Sequence, residues 1–370
     1  MPDLSMRRPI AFVLGTRPEI IKLAPLVRLF EFRRARYFIV HTGQHYSYEM
    51  DRIFFHDLGL SNPRYQLRVR SEGNRHADHT GRMMEAVEKI LMKERPRVVL
   101  VQGDTNSVLA GSLAASKLPE IKIGHVEAGL RSYDRSMPEE INRILSDHVS
   151  DLLFAPTSGA KEILLGEGVE KKKIFVTGNT IVDSVFQNLK IASRRPAPAT
   201  GRAIPKQYFL MTLHRQENVD KKETLRSILE GLSRILKEFR IPILFSVHPR
   251  TQNKIKDFGL KLPEGVRSLK PLGFLDFLEL ERSAKMILTD SGGLQEEACI
   301  LGVPCLTLRT TTERPETVRA GANVIAGHEP AQILKSACKM FGKKNSWKNP
   351  FGDGRASQRI AEVIQRLAPL

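Results

Sequence analysis

The stretch Val98-Val99-Leu100-Val101-Gln102-Gly103-Asp104-Thr105 is a β-branched apolar run that breaks off at a glycine and an acid. A short apolar run bounded by a turn reads as a buried strand. Gly103-Asp104-Thr105 then falls where an open α/β sheet presents residues to a ligand crevice, outside the carboxyl ends of its strands. The pattern recurs at Ile121 to Val126, in Gly124-His125-Val126-Glu127-Ala128-Gly129-Leu130, and Met137-Pro138-Glu139-Glu140 follows. Three acidic positions, Asp104, Glu127 and Glu139, are thereby marked as candidate site groups.

Working outward, β-rich apolar runs alternate with amphipathic stretches. Ile10 to Leu14, Tyr37 to His41, Val98 to Val101, Ile121 to Val126, Leu152 to Ala155 and Ile174 to Thr177 read as strands. Segments from Glu19 to Phe32, Tyr48 to Asp57, Asp78 to Glu94, Ser107 to Lys117, Glu139 to His148 and Ser158 to Gly166 read as helices between them. That alternation is the βαβ rhythm of a parallel sheet. A second series follows the Pro-rich stretch Ser193 to Gly201, which suits a linker or surface loop. Its strands are Tyr208 to Leu213, Ile243 to Val247, Met286 to Thr289, Cys305 to Leu308 and Asn323 to Ala326. The last stretch, Gly354 to Leu367, reads as a helix that crosses back to the first domain. A chain of 370 residues exceeds the size at which one core keeps growing, so two doubly wound domains with a cleft between them are expected. The expected division is 1–178 plus 355–370 for the first and 179–354 for the second.

With 41% hydrophobic and 27% charged residues the chain is globular in composition, and no run approaches the roughly 20 apolar residues of a membrane span. The apolar run after Pro9 is too short for a signal peptide, so a cytoplasmic enzyme with no membrane partner is expected. Cys299, Cys305 and Cys338 show no CxxC spacing and read as thiols of a reducing compartment. The formal charge of +17 favours anionic partners in general. The basic residues are scattered, however, and aromatics are only 6% of the chain, so no stacking platform supports a nucleic-acid partner.

Two turns could hold phosphate. Gly15-Thr16-Arg17-Pro18-Glu19 opens a helix after a strand, and Thr16 and Glu19 have capping-box spacing. Arg17 and Lys22 equally suit an anion at that helix N-terminus, and both readings stay open. Thr289-Asp290-Ser291-Gly292-Gly293 is stronger, since two glycines let backbone approach a diphosphate where a helix N-terminus supplies N–H donors. The turn matches neither the Walker nor the dinucleotide GxGxxG pattern. Glu297 could accept from a ribose diol, and Arg314 offers a further cation. His214, in Leu213-His214-Arg215, stands at a strand end, and His248 holds the equivalent place on the next strand. His76 and His79 have helical spacing but no clear third ligand, so no metal site is expected.

Gly15-Thr16-Arg17-Pro18-Glu19, Gly103-Asp104-Thr105, His125 to Arg131, Pro138-Glu139-Glu140, Gly178-Asn179-Thr180 and Thr289 to Glu297 together resemble the non-hydrolysing UDP-N-acetylglucosamine 2-epimerases, in order from residue 10 to 365. The resemblance implies two Rossmann-like domains in a glycosyltransferase-B-like arrangement with the active site in the interdomain cleft. It implies reversible interconversion of UDP-N-acetylglucosamine and UDP-N-acetylmannosamine through 2-acetamidoglucal, with no metal or nicotinamide consumed and a homodimeric assembly. Asp104, Glu127, Glu139 and His214 match the family's catalytic residues. Arg17, Lys22, Ser291, Gly292, Gly293, Glu297 and Arg314 are expected around UDP, with Phe277 and the backbone near Leu272 at the uracil. Leu272 stands where some relatives have Gln. Gln44, Arg215 and His248 could form an allosteric site for a second nucleotide sugar, although Ser47 replaces a Gln of regulated relatives. A sister group acting on a diacetamido uronic acid sugar is the first alternative. A glycosyltransferase would need an acceptor and no acids at C2, and a nucleotide-sugar sensor would have no use for them.

Overall fold

Ile10-Ala11-Phe12-Val13-Leu14 is buried at all five positions, and a strand buried on both faces needs helices on both sides of its sheet. The structure, a computed structural model, describes residues 8–44, 48–67, 69, 75–135, 137–194, 204–269, 272–343 and 347–367. They form two units. One runs to Gln187 and resumes at Phe351, and the other spans Asn188–Pro350.

The first unit comprises β1 (Ile10–Leu14), α1 (Arg17–Phe32), β2 (Tyr37–His41), α2 (Tyr48–Asp57), β3 (Tyr65–Gln66), α3 (His76–Glu94), β4 (Val98–Gln102), α4 (Asn106–Ser116), β5 (Lys122–Val126), α5 (Pro138–Val149), β6 (Leu152–Ala155), α6 (Ser158–Gly166), β7 (Ile174–Val176) and α7 (Thr180–Ala192). Its sheet has the order β3-β2-β1-β4-β5-β6-β7 with every pairing parallel. The order reverses between β1 and β4, which is where such a sheet opens a crevice. Small residues bring α4 down over that point. A Cβ on Gly111 would lie 3.0 Å from Val13 and 3.1 Å from Val101, so any larger residue would have to displace these side chains by a few tenths of an ångström. Burying Val13 and Val101 there stabilises the layer by about 1.5–3 kcal/mol each.

The second unit comprises β8 (Phe209–Met211), α8 (Gln216–Val219), α9 (Lys222–Phe239), β9 (Ile243–Ser246), α10 (Pro249–Asp257), β10 (Val266–Leu269), α11 (Phe274–Ser283), β11 (Met286–Thr289), α12 (Gly292–Leu301), β12 (Cys305–Thr307), α13 (Pro315–Arg319), β13 (Asn323–Ile325) and α14 (Pro330–Met340). Its parallel sheet, β10-β9-β8-β11-β12-β13, repeats the reversal at β8 and β11. The core on one side of this sheet joins Phe209, Met211 and Phe245 to Leu225, Ile228, Leu232 and Ile235 of α9.

A final helix, α15 (Ala356–Leu367), returns to the first unit and packs against α1. Asp183 of α7 caps it by accepting from the N–H groups of Ala356 (3.1 Å) and Ser357 (2.9 Å), and Arg359 donates to the Thr177 carbonyl. This cap corrects the expected boundary at 178. The first half of α7 belongs to the first unit, because Asp183 and Asn179 bind the returning chain, Asn179 through its N–H to the Phe351 carbonyl. The return likewise starts at Phe351, whose side chain is buried, rather than at 355. Of the expected linker, residues 195–201 lie outside the described residues, as do His45 and Ser47.

Candidate active site

At the end of β1 the chain must turn in very little space. A Cβ on Gly15 would lie 1.8 Å from Thr42 Oγ1 and 2.3 Å from Ser107 Oγ, which requires glycine there. The Gly15 N–H donates to Glu19 Oε2 (2.9 Å), and Thr105 Oγ1 donates to Glu19 Oε1 (2.8 Å). Glu19 therefore joins the turns after β1 and β4, whereas Thr16 makes no side-chain cap. Burial pushes the Glu19 carboxyl up to about 7, against hydrogen bonds that favour its ionised form. Gln44, at the same place, accepts from the Ser107 N–H (2.9 Å) and hydroxyl (2.7 Å).

Glu127, just past β5, is a non-glycine residue at φ +71°, a conformation that costs about 1 kcal/mol or more. The bend is imposed by the N–H groups of Glu127 and Ala128, which both donate to the Phe154 carbonyl. It turns the Glu127 carboxylate onto Lys22 Nζ (2.5 Å) and Gln102 Nε2 (2.9 Å). Lys22 and Glu127, two of the expected site residues, thus form one buried ion pair.

Asp104 is partly exposed and pairs with Arg143 of α5. The Arg143 guanidinium also donates to Glu140 (2.7 Å), which accepts from the N–H groups of Ser132 (3.0 Å) and Tyr133 (2.8 Å). Burial alone would raise the Glu140 carboxyl, but these donors outweigh it and hold it below the usual range. Glu139 occupies the exposed first turn of α5, one residue before this anchor. Arg17 lies over the Phe54 ring, 4.8 Å from its centroid.

In the second unit Asp290 organises the end of β11. Its fully buried carboxylate accepts from the N–H groups of His214 (3.0 Å) and Arg215 (2.8 Å) and from Asn218 Nδ2 (3.0 Å), and lies 3.2 Å from His214 Nδ1. Burial raises Asp290, yet His214 and these N–H groups carry it below the ordinary range. His214 is turned by this contact and lies 6.0 Å, ring to ring, from His248. Burial and the His214 charge lower the His248 pKa, while its Nδ1 accepts from the Arg250 N–H.

Ser291, Gly292 and Gly293 form the start of α12, which carries no side-chain cap. Cβ atoms on the two glycines would meet only Glu313 Oε2 at 3.8 Å and Ser291 Oγ at 3.9 Å. Arg314 binds Glu296 at 2.7 Å, which sets its place beside the same helix. Glu297 is buried, and the fully buried Glu281 faces it. Burial and then the Glu297 charge push Glu281 well above the ordinary range. Leu272 and Phe277 are half-buried against the core formed by Tyr208, Leu210 and Leu280. Of the possible allosteric trio, Arg215 and His248 belong to this unit and Gln44 to the first. Among the described residues no group of three or more His, Cys, Asp or Glu is disposed to hold a metal, and no helix is long and apolar enough to cross a membrane.

Arg143 and Gln102, which hold Asp104 and Glu127, and Asp290, which holds His214, were given no role from the sequence. Arg143 alone carried a local signal, its i,i+3 spacing from Glu140 on one helix face.

Two doubly wound sheets, each with charged side chains at its switch point, define a two-domain Rossmann-like enzyme. A family profile described as UDP-N-acetylglucosamine 2-epimerase matches residues 29–365. UDP-N-acetylglucosamine 2-epimerase of Methanocaldococcus jannaschii is 53% identical over 96% of this chain and 98% of its own length. A crystal structure of that species' enzyme in complex with UDP-GlcNAc and UDP is similar at TM-score 0.88 and 52% identity, covering 97% of this chain and 99% of the other. UDP-2,3-diacetamido-2,3-dideoxy-D-glucuronate 2-epimerase of Pseudomonas aeruginosa is 44% identical over 97% of this chain and 99% of its own. The chain belongs to the UDP-N-acetylglucosamine 2-epimerase family and is an epimerase.

Proposed function

We propose that this protein interconverts UDP-N-acetylglucosamine and UDP-N-acetylmannosamine at C2 by elimination and re-addition of UDP. The observation that carries the reading is the pair of carboxylates at the ends of adjacent strands, Asp104 after β4 and Glu127 after β5. Each is held by a cation, Arg143 and Lys22 respectively. The C2 proton lies next to no carbonyl, so its removal needs C1–O cleavage first or at the same time. The C1–O electron pair leaves with the β-phosphate oxygen, the C2 proton passes to a carboxylate, and the C1–C2 double bond of 2-acetamidoglucal forms. On return, a phosphate oxygen of UDP bonds to C1 and a proton is delivered to C2 from the opposite face. Two faces require two proton-handling arrangements, which Asp104, Glu127 and Glu139 supply. His214, turned by Asp290, assists the departing diphosphate. Arg17, Lys22, Arg314 and the Ser291-Gly292-Gly293 turn bind its oxygens, Glu297 takes the ribose, and Phe277 with the Leu272 backbone takes the uracil.

Substrate carrying oxygen-18 in the C1–O–P bridge tests this reading. UDP-N-acetylmannosamine should appear while label scrambles into the non-bridging β-phosphate positions of recovered substrate. Product without scrambling would exclude elimination. Turnover of only the diacetamido uronic acid sugar would transfer the chemistry to that substrate. The assembly we propose is a homodimer, with a light-scattering mass twice the 41.7 kDa of one chain.

A further inference from the structure

His125 lies at the next-to-last position of β5, is 1% exposed, and has no place in the chemistry above. Its Nδ1 is 2.7 Å from Asp147 Oδ1 and its Nε2 is 2.8 Å from the Gly103 carbonyl oxygen. A peptide carbonyl can only accept a hydrogen bond. Asp147 also acts as an acceptor, because its second oxygen takes the Gly129 N–H (3.1 Å) and Arg131 (2.7 Å). A neutral imidazole has one N–H and one lone pair, so either tautomer would set a lone pair against an oxygen in a site without water access. The geometry points to a His125 that is doubly protonated in the working enzyme, an imidazolium that positions the Gly103-Asp104 turn without exchanging protons with substrate.

The charged neighbours fit this assignment, and Glu167 among them also lies 3.4 Å from Nε2 of the exposed His148 ring. Arg131 is held by Asp147 and, through two hydrogen bonds, by Glu167 (2.8 and 2.6 Å). With His125 charged, two cations face two carboxylates, which is how buried charge is tolerated. The groups facing the ring are Asp147 from α5, Arg131 from the segment after β5, and the Gly103 peptide after β4. Burial draws the His125 pKa down, but Asp147 and the Gly103 carbonyl outweigh burial and the opposing Arg131 charge, and the net direction is upward.

The consequence falls on Asp104. Gly103 adopts φ +86°, donates its N–H to the Val126 carbonyl (3.1 Å) and gives its own carbonyl to His125, so β5 fixes both sides of this residue. The Asp104 carbonyl is held in turn by Asn142 Nδ2 at 2.9 Å. With both ring nitrogens engaged as donors, His125 has no lone pair for a substrate proton. It is a positioning residue. The effect on turnover rests on the role proposed for Asp104, but the protonation state does not.

Nitrogen-15 NMR of histidine-labelled protein at pH 7.5, a unit above the ordinary histidine pKa of about 6.5, reads the state directly. One buried ring, assigned through its neighbours, should show two imidazolium N–H groups in slow exchange. A neutral tautomer there would overturn the inference. His125→Gln keeps one donor and loses the charge. It should lower kcat about 100-fold by misplacing Asp104, with KM changed about threefold or less. A folded His125→Gln variant with kcat within about twofold of the parent would refute the positioning role. Absence of C2 turnover in the parent enzyme would instead count against the proposed function and leave the NMR result standing.

Discussion

Asp104 and Glu139 separate binding from chemistry at single positions. Neither is among the residues assigned to UDP, so Asp104→Asn and Glu139→Gln should each reduce turnover by about 100- to 10,000-fold, the usual scale for losing an acid or base. UDP affinity, read by calorimetry, should change little in both. Unchanged epimerisation in both variants would remove the acids from the mechanism. Glu19 makes a prediction about stability. Its carboxyl is raised from 4.5 to about 7 in the folded chain, so the folded state holds the proton more tightly. The resulting stabilisation is complete below about pH 4.5 and is lost as pH rises through 7, by roughly 3 kcal/mol at most. Glu19→Gln has no proton to lose, so its urea midpoint should decline less than that of the parent between pH 5 and pH 8. Parallel pH profiles would show that Glu19 is ionised throughout.

At the level of strands and helices, the turn after β1 is the tightest junction. A Cβ at Gly15 would overlap the hydroxyls of Thr42 and Ser107, which are themselves hydrogen-bonded at 2.7 Å and cannot both withdraw. Gly15→Ala should cost about 1–3 kcal/mol in chemical unfolding and shift α4 relative to β1. A neutral result would mean that this turn relaxes freely. The same elements explain what could be read beforehand. β1, β4 and β5 were legible because strands covered on both faces are apolar without interruption. β3 and β10 were not: the first has two residues, and the second is an edge strand, Val266-Arg267-Ser268-Leu269, whose middle pair faces solvent. The places of Asp104 and Glu127 just past β4 and β5 were legible from the apolar runs that precede them. The partners that aim them were not, because Arg143 meets Asp104 across 39 residues and Lys22 meets Glu127 across 105. Such contacts depend on strand order, which no local pattern encodes.

For the whole molecule, the two sheets repeat one topology and carry different chemistry. The first brings carboxylates and their cations to its strand ends, and the second brings a histidine, its aspartate and a helix N-terminus without a side-chain cap. That division of labour suits the proposed reaction, in which a proton leaves C2 while a diphosphate leaves C1. The first unit extends past the expected boundary at 178 to Gln187, and Asp183 within that extension caps α15, a contact across 173 residues. The central claim is proton exchange at C2. Proton NMR of the enzyme with UDP-N-acetylglucosamine in deuterated water, without added metal, nicotinamide or acceptor, tests it most directly. The account predicts UDP-N-acetylmannosamine carrying deuterium at C2. Product that keeps its original proton at C2, or no product from enzyme that binds the substrate, would contradict it.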